Sequence, residues 1–306
     1  NIVFAGMGGS GISGHLMKDI LRDSMDIPVD VSSDYDFPAY VGPNTLFICT
    51  SYSGTTEETL TQFAEAVKRK CNIFSITSGG KLSEWSDRLG IPYIKLPSGY
   101  QPRDALPYLL FSVTSCLENL GMQSFSSDEQ EFLGIIPTVD LALIDEIAGA
   151  MKDSKYPRVY GPPRFSGVLR RTASQLAENS KMLPEFADLP ELNHNEIVGY
   201  EVDFHPDVSV IFIRDRAERP EIARRVQITR EIAQNKVKGT HDIWSYGDSQ
   251  LAKVMSLVYQ SDHLSFRLAE IRGVNREQVK TIDKVKQDLR SLNTIEKLEK
   301  ELGFIS

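Results

Sequence analysis

The sequence predicts an α/β protein with two doubly wound parallel sheets, and three observations carry this prediction. The chain has 306 residues, enough for about two domains of ordinary size. Short apolar runs alternate with helical patterns, as βαβ units and a parallel sheet require. A strand that ends in glycine and leads through a loop into a helix occurs twice, at Phe4-Ala5-Gly6 and at Val159-Tyr160-Gly161.

The first half of the chain supplies the candidate strands of one sheet, with helical patterns between them. The run Leu46-Phe47-Ile48-Cys49 is apolar throughout, which is typical of a parallel strand covered on both faces. An amphipathic helix is predicted over residues 56–70. The candidate strands lie at residues 2–5, 29–32, 45–50, 72–77 and 93–96.

The same alternation returns in the second half, after a mainly helical stretch over residues 104–152. A strand at 158–161 is followed by a helical pattern, and the apolar run at 208–213 predicts the next strand. The remaining predicted elements are a helix at 168–181, a strand at 237–241 or 243–245, and helices at 249–273 and 277–302.

The predicted domain boundary lies near residues 152–157. We expect an N-terminal domain at residues 1–152, which includes bridging helices, and a C-terminal domain at residues 153–306, which includes the C-terminal helices. The chain starts at Asn1, inside a predicted strand and without Met, so we expect further residues to precede it.

The composition is that of an ordinary globular protein. Hydrophobic residues make up 41% and charged residues 25% of the chain, which excludes a disordered, collagen-like or coiled-coil protein. The formal charge of −8 disfavours nucleic-acid binding and attachment to a membrane surface. No apolar run approaches the roughly 18–20 residues that a membrane helix needs. We expect a cytoplasmic protein.

The cysteines and histidines indicate neither a disulfide framework nor a metal site. Cys49, Cys71 and Cys116 are widely spaced and odd in number, and we expect Cys49 and Cys71, which lie in apolar runs, to be buried, reduced thiols. A Walker motif is absent, so ATP is not expected. We expect no cofactor. The histidines without metal-ligand spacing to other candidate ligands are His15, His205, His241 and His263.

The first predicted strand leads into the glycine-rich loop Gly6-Met7-Gly8-Gly9-Ser10-Gly11. Glycine lets a ligand approach the backbone, and the N-terminus of the following helix suits a phosphate. The spacing also fits the dinucleotide fingerprint, and the acidic residues near position 30 do not exclude a nucleotide. A glycine-rich turn without a ligand is the alternative.

The loop at residues 50–58, Thr-Ser-Tyr-Ser-Gly-Thr-Thr-Glu-Glu, is the more specific signal. It follows a strand and holds five Ser or Thr hydroxyls at the start of a helix. Helix capping by Thr55 or Thr56 together with Glu58 is the alternative, but one cap needs only one hydroxyl. Such a loop can wrap a phosphate without a cation, and a dinucleotide fold does not need it.

These two strand–loop–helix segments resemble the sugar isomerase (SIS) domain, which has a flavodoxin-like fold. Two such domains in one chain resemble the archaeal-type bifunctional phosphoglucose/phosphomannose isomerases, and the resemblance covers essentially the whole chain. The supporting segments begin at Gln101-Pro102-Arg103, Leu176-Ala177-Glu178, Glu191-Leu192-Asn193-His194 and Leu268-Ala269-Glu270.

The resemblance implies a metal-independent aldose–ketose isomerase that acts through a cis-enediol. Glucose 6-phosphate and mannose 6-phosphate would be interconverted with fructose 6-phosphate by a homodimer with shared active sites. The second loop would hold the substrate phosphate. The residues expected to bind phosphate and sugar are Gly8, Gly9, Ser10, Ser51, Ser53 and Thr56.

Proton transfer between C1 and C2 of the sugar needs a general base, for which a carboxylate is suited. The resemblance implies Glu178 as this base and His194, sixteen residues later, as the group that opens the sugar ring from the neighbouring subunit. The alternative for Glu178 is a surface carboxylate paired with Lys181. Glu196 is a rival for the base.

Two cationic residues complete the expected set. Arg103 corresponds to an arginine that stabilises the enediolate, the alternative being a surface arginine at a helix end. A lysine on a C-terminal helix is expected to assist ring opening, with Lys286 preferred over Lys284.

Three other functions stay open from the sequence. An SIS isomerase could act on another sugar phosphate, although a glutamine-hydrolysing domain is absent. A non-catalytic phosphosugar sensor would have no need of the set Glu178, His194 and Arg103. A dinucleotide-dependent oxidoreductase rests only on the first glycine loop.

Overall fold

The computed structural model describes residues 1–201 and 204–305. Its contacts divide the chain into two compact units. The first unit consists of Asn1–Ser124 together with the C-terminal segment from Lys280, and the second is Phe125–Val279.

The first unit holds a sheet of five parallel strands in the order β2-β1-β3-β4-β5, the flavodoxin-like order. Helices connect β1 to β2, β3 to β4 and β4 to β5, whereas residues 33–45 connect β2 to β3 without a helix. The elements are β1 (Ile2–Ala5), α1 (Gly8–Leu21), β2 (Val29–Ser32), β3 (Leu46–Thr50), α2 (Glu57–Lys68), β4 (Asn72–Thr77), α3 (Gly80–Leu89), β5 (Tyr93–Lys95) and α4 (Leu106–Asn119).

The core of this unit forms because its central strands are apolar and covered on both faces. All four residues of β1 are buried, and Phe47 and Cys49 of β3 join one core cluster. Helix α2 adds Phe63 to that cluster, and α3 adds Trp85. The rings of Phe63 and Trp85 lie 6.2 Å apart between their centroids.

The second unit holds four parallel strands in the order β7-β6-β8-β9. A short 3₁₀ helix precedes α6, another precedes α7, and two more, Glu191–His194 and Glu196–Tyr200, lie between β7 and β8. The remaining elements are α5 (Ser126–Ile135), α6 (Leu141–Met151), β6 (Arg158–Gly161), α7 (Ser166–Glu178), β7 (Glu185–Asp188), β8 (His205–Arg214), α8 (Pro220–Ala233), β9 (Val237–Trp244) and α9 (Gln250–Ile271).

The two faces of this second sheet carry different elements. A β-carbon at Gly161 would lie 2.9 Å from Cδ2 of Leu169 and 3.1 Å from Cβ of Ile213, so α7 packs on the face of Gly161 and Ile213. Side chains alternate along a strand, so Tyr160 and Phe212 face the other way. Their cluster includes Val226 of α8 and residues of segment 191–200. The sheet therefore separates α7 from segment 191–200.

The C-terminal segment completes the first unit. It contains α10 (Lys280–Leu289), a 3₁₀ helix at Arg290–Leu292 and α11 (Thr294–Glu301). Leu298 of α11 is 6% exposed and joins the core cluster of the first sheet. Glu299 accepts hydrogen bonds from Trp85 Nε1 at 3.2 Å and pairs with Lys81 at 2.8 Å.

The predicted α/β architecture is confirmed, and three local expectations differ. The short strand β7 was not predicted. The two alternatives at 237–241 and 243–245 form one strand, β9. The predicted helix over 277–302 is broken, because Asn293 adopts the left-handed conformation with φ 51°. Cys49 and Cys116 are buried, Cys71 is half-buried, and all three are free thiols.

The compact units also do not follow the predicted boundary between residues 152 and 153. Helices α5 and α6 belong to the second unit because they pack along α9, and α11 belongs to the first unit because it packs on α2. The division of the chain into two domains between residues 152 and 153 stays a prediction. Among the described residues, no helix has both the length and the apolar character that a membrane span requires.

We predict that Leu298→Ala destabilises the first unit. Removing a buried leucine side chain from a packed core costs about 2–5 kcal/mol of the free energy of unfolding. Leu292→Ala is the matched control, since Leu292 is 54% exposed in the same segment. Urea denaturation of both variants checks this prediction. Equal, small effects would show that α11 is not part of the core.

Candidate functional site

The carboxyl ends of β1 and β3 meet where the strand order of the first sheet reverses. Open α/β sheets bind their ligands in the crevice at such a switch point. The glycine-rich segment after β1 (residues 6–10, which includes the first turn of α1 and is called the first loop) and the second loop after β3 (residues 51–56) both lie there. The structure thus brings the two sequence motifs to one edge of one sheet.

Close backbone contact explains two glycines of the first loop. A β-carbon at Gly11 would lie 2.4 Å from the carbonyl oxygen of Gly6, and one at Gly6 would lie 2.7 Å from that of Thr50. Gly8 differs, because its φ is +51° and no atom would lie within 4 Å of a β-carbon there. Helix α1 starts at Gly8, and the side chain of Met7 does not cap it.

The hydroxyls of the second loop are arranged as a network and do not cap the helix. Ser51, which is fully buried, donates from Oγ to Thr56 Oγ1 at 3.0 Å and accepts the N–H of Gly54 at 3.1 Å. Thr56 occupies the N-cap position of α2 without a side-chain capping bond. Ser53 and Thr55 are exposed, and their hydroxyls lie 3.2 Å apart. Helix capping therefore does not explain why a hydroxyl residue stands at position 56.

A third loop, Thr77-Ser78-Gly79-Gly80 after β4, packs against the second and was missed by the sequence analysis. A β-carbon at Gly54, whose φ is +67°, would lie 1.8 Å from the carbonyl oxygen of Gly79. Ser78 Oγ donates to the carbonyl of Tyr52 at 2.6 Å. Its sequence could have indicated this loop, because hydroxyl residues and glycines follow a strand here as they do in the second loop.

Tyr52 and Ser10 tie the loops together. The backbone N–H of Tyr52 donates to Ser10 Oγ at 2.9 Å, which joins the first and second loops. The hydroxyl of Tyr52 donates to the carbonyl of Pro97 at 2.8 Å and accepts the N–H of Tyr100 at 3.0 Å. These bonds fix the segment that leads to Arg103.

Arg103 lies directly against the first loop. A β-carbon at Gly9 would lie 2.7 Å from the backbone nitrogen of Arg103, so only glycine permits this approach. Arg103 is 3% exposed, so its interpretation as a surface arginine is wrong. The structure thus brings Arg103 together with all six residues expected to bind phosphate and sugar.

The arrangement suits an anion for electrostatic reasons. Helices α1, α2 and α3 all begin at this edge, and the positive ends of their dipoles point toward it. Arg103 adds a buried positive charge beside the first loop. Two carboxylates, Glu57 and Glu58, lie in the first turn of α2. Glu57 accepts a hydrogen bond from the hydroxyl of Tyr35 at 2.8 Å, and burial together with this bond raises the pKa of Tyr35.

Glu178 is the last residue of α7 in the second unit and is half-buried. The turn that follows is fixed by side-chain bonds. Asn179 Nδ2 donates to Ser265 Oγ at 2.9 Å, and Lys181 Nζ donates to the carbonyl oxygens of Glu178 and Gln278. The backbone that carries the Glu178 carboxylate is therefore held in place.

His194 is exposed and lies in segment 191–200. This segment packs on the face of the second sheet opposite to α7, as described above. Within one chain the structure therefore does not bring Glu178 and His194 together. Glu196, in the same segment as His194, accepts a hydrogen bond from the hydroxyl of Tyr160 of β6.

Lys286 lies on α10, which buries none of its residues. Lys284 is equally exposed on the same helix. The structure does not distinguish between these two lysines.

Two further observations concern ligands. Among residues 1–201 and 204–305, no group of three or more His, Cys, Asp or Glu side chains could hold a metal ion. A cavity of about 810 Å³ lies at the opposite edge of the first sheet, where β3 and β4 begin with Leu46 and Asn72. None of the predicted site residues lines it.

We predict that Gly54→Ala disrupts the contact between the second and third loops. The new β-carbon would collide with the carbonyl of Gly79, in addition to the roughly 1–2 kcal/mol that a left-handed conformation costs other residues. Gly121→Ala is the matched control, with the same φ of +67° and no atom within 4 Å. Urea denaturation and calorimetric titration with inorganic phosphate measure stability and anion affinity. The same losses in both variants would contradict the prediction.

Comparison with known proteins places the chain in a family. Residues 143–289 match the family model of the bacterial phospho-glucose isomerase C-terminal SIS domain, and residues 1–87 match that of the SIS domain. A bifunctional phosphoglucose/phosphomannose isomerase from Caldicellulosiruptor bescii is 35% identical over 304 residues, 95% of this chain and 90% of that protein. Another, from Thermoplasma volcanium, is 35% identical over 291 residues, 94% of this chain and 91% of that protein.

The fold is shared more widely. The C-terminal domain of glucosamine-fructose-6-phosphate aminotransferase from Francisella tularensis has a TM-score of 0.68 at 16% identity, over 90% of this chain and 85% of that chain. This likeness concerns the fold alone. The sequence similarity to the two isomerases extends over nearly the whole length of this chain and of each relative. It shows that the chain belongs to the family of bifunctional phosphoglucose/phosphomannose isomerases.

Proposed function

We propose that this protein interconverts glucose 6-phosphate and mannose 6-phosphate with fructose 6-phosphate, by metal-independent proton transfer through a cis-enediol. The observation that carries the proposal is the joined set of loops at the switch point of the first sheet, with Arg103 buried against Gly9. This set offers hydroxyls, helix N-termini and a cation to an anionic sugar. Family membership supports the choice of substrates.

In this proposal the first and second loops bind the substrate. The exposed hydroxyl of Ser53 and the half-buried hydroxyl of Thr56 contact the phosphate, and Ser51 holds Thr56 in position. The open side of Gly8 leaves space for a phosphate or sugar hydroxyl near the N-terminus of α1. Gly9 and Ser10 complete this wall of the site.

Glu178 acts as the general base and then returns the proton. A positioned carboxylate contributes about 10²–10⁴-fold to such a proton transfer. Arg103 stabilises the negative charge of the enediolate, because a buried guanidinium beside the developing charge interacts with it more strongly than in water. Lys286 assists ring opening.

His194 opens the sugar ring, and we propose that it acts in the active site of a partner subunit. Two features support this arrangement. The second sheet separates His194 from Glu178 within one chain, and the His194 side chain is exposed. A symmetric homodimer would pair each Glu178 with the partner's His194. We also propose that the protein is cytoplasmic, that it needs no cofactor, and that residues 1–152 and 153–306 are its two SIS domains.

We predict turnover of glucose 6-phosphate and mannose 6-phosphate to fructose 6-phosphate in the presence of EDTA. Glu178→Gln should lower kcat by at least about 10²-fold, because the amide cannot accept the C2 proton. Glu231→Gln, an exposed glutamate on α8, is the matched control and should retain activity. An enzyme-coupled assay for fructose 6-phosphate measures both.

No turnover of either sugar, with binding intact, would contradict the proposed activity. A phosphosugar sensor would then account for the fold. Turnover of only one of the two sugars would restrict the activity to one epimer.

We predict that two strongly impaired variants, Glu178→Gln and His194→Ala, complement each other when their subunits are exchanged. Each mixed dimer holds one site with both Glu178 and the partner's His194 intact. Statistical mixing should then restore about a quarter of the wild-type activity. No recovery in a sample that mass spectrometry shows to contain mixed dimers would contradict a shared site.

A further inference from the structure

A buried hydrogen-bond network connects β6 to the segment that carries His194. The side chain of Tyr160 is fully buried, and its hydroxyl donates to Glu196 Oε1 at 2.5 Å. The same hydroxyl lies 2.8 Å from that of Tyr200. Because Glu196 is two residues after His194, this network anchors the chain just beyond the imidazole.

The chain just before His194 is anchored as well. Leu192 is 1% exposed and packs in the core cluster of Tyr160 and Phe212. Asn193 Nδ2 donates to Thr229 Oγ1 of α8 at 2.8 Å. His194 is thus an exposed residue between two fixed neighbours.

Asn195 stiffens the connection between these two anchors. Its Oδ1 accepts the N–H of Glu196 at 2.6 Å, and its Nδ2 donates to Glu191 Oε1 at 2.9 Å. These bonds hold the junction between the 3₁₀ helix that ends at His194 and the one that begins at Glu196.

The partners of Glu196 argue against its use as a general base. Its carboxylate accepts the hydroxyl of Tyr160, and Arg158 Nε lies 3.8 Å away. Burial raises the pKa of Tyr160 and of Tyr200, so both hydroxyls keep their protons. The Glu196 carboxylate is therefore engaged by two residues of β6 in its own chain, where it holds segment 191–200 to that strand.

We propose that Tyr160 and Glu196 are positioning residues, which fix the imidazole of His194 at the place where it meets the substrate of the partner subunit. This inference rests on the proposed function. A ring-opening group must reach the sugar oxygen in one geometry, and a misplacement of about 1 Å can cost roughly 10²-fold in rate. Anchors on both sides of an exposed residue supply that precision.

The first test is Tyr160→Phe, which removes both hydroxyl bonds and keeps the aromatic ring packed against Phe212. We expect kcat for glucose 6-phosphate to fall about tenfold or more, with KM within about twofold of wild type, since the phosphate loops are untouched. Tyr156→Phe, at a tyrosine that is 43% exposed, is the matched control and should leave kcat unchanged. Wild-type kcat in Tyr160→Phe would overturn the proposal.

The second test distinguishes positioning from general destabilisation. In a His194→Ala background, Tyr160→Phe should cause no further loss of the residual activity, because its effect passes through the missing imidazole. A loss that multiplies with that of His194→Ala would overturn the proposal. Glu196→Gln keeps an acceptor oxygen for Tyr160 and should retain more activity than Glu196→Ala.

Failure of the positioning role can be distinguished from failure of the proposed function. If the wild-type protein does not turn over either sugar, the proposed function fails, and the positioning role, which rests on it, fails with it. If the wild type is active and His194→Ala is strongly impaired, but Tyr160→Phe and Glu196→Ala match the wild type, the positioning role alone fails.

Discussion

The close contact between the glycine backbones of Gly54 and Gly79 is the constraint on which the candidate site depends. No other residue type allows the second loop to approach the third, because a β-carbon at Gly54 would occupy the carbonyl oxygen of Gly79. The same principle repeats where Gly9 meets Arg103. Parallel pairing brings the ends of β1, β3 and β4 to one edge, and these glycines then let the loops close on one another. The hydroxyls of the loops and the backbone of Arg103 are placed by this packing.

The second sheet has a different role, since it keeps Glu178 and His194 apart. Glu178 ends a helix on one face, and His194 lies in a segment that covers the other. If Glu178 is the base and His194 opens the ring, as proposed, a single chain has a base without its ring-opening group. Under the proposed function, only the association of two chains completes the chemistry, so dimerisation and catalysis would be lost together.

Much of the fold could be predicted from the sequence, because the central strands are continuous apolar runs bounded by glycine and hydroxyl residues. Strand β7 escaped prediction since it is a short edge strand, Glu-Phe-Ala-Asp, with charges at both ends. The break at Asn293 and the packing of Leu298 on the first sheet depend on contacts distant in sequence. For the site, the two loops were recognisable from composition, whereas the burial of Arg103 and the hydrogen bond between Tyr160 and Glu196 depend on residues distant in sequence.

The place of α11 in the first core has a consequence for the order in which the chain folds. A ribosome releases residues 1–124 well before the C-terminal segment, yet Leu298 and Glu299 belong to the core around Trp85. The second unit is continuous in sequence and can fold as soon as it is synthesised. The first unit is discontinuous, so its nascent form carries an uncovered apolar surface until α11 has been synthesised.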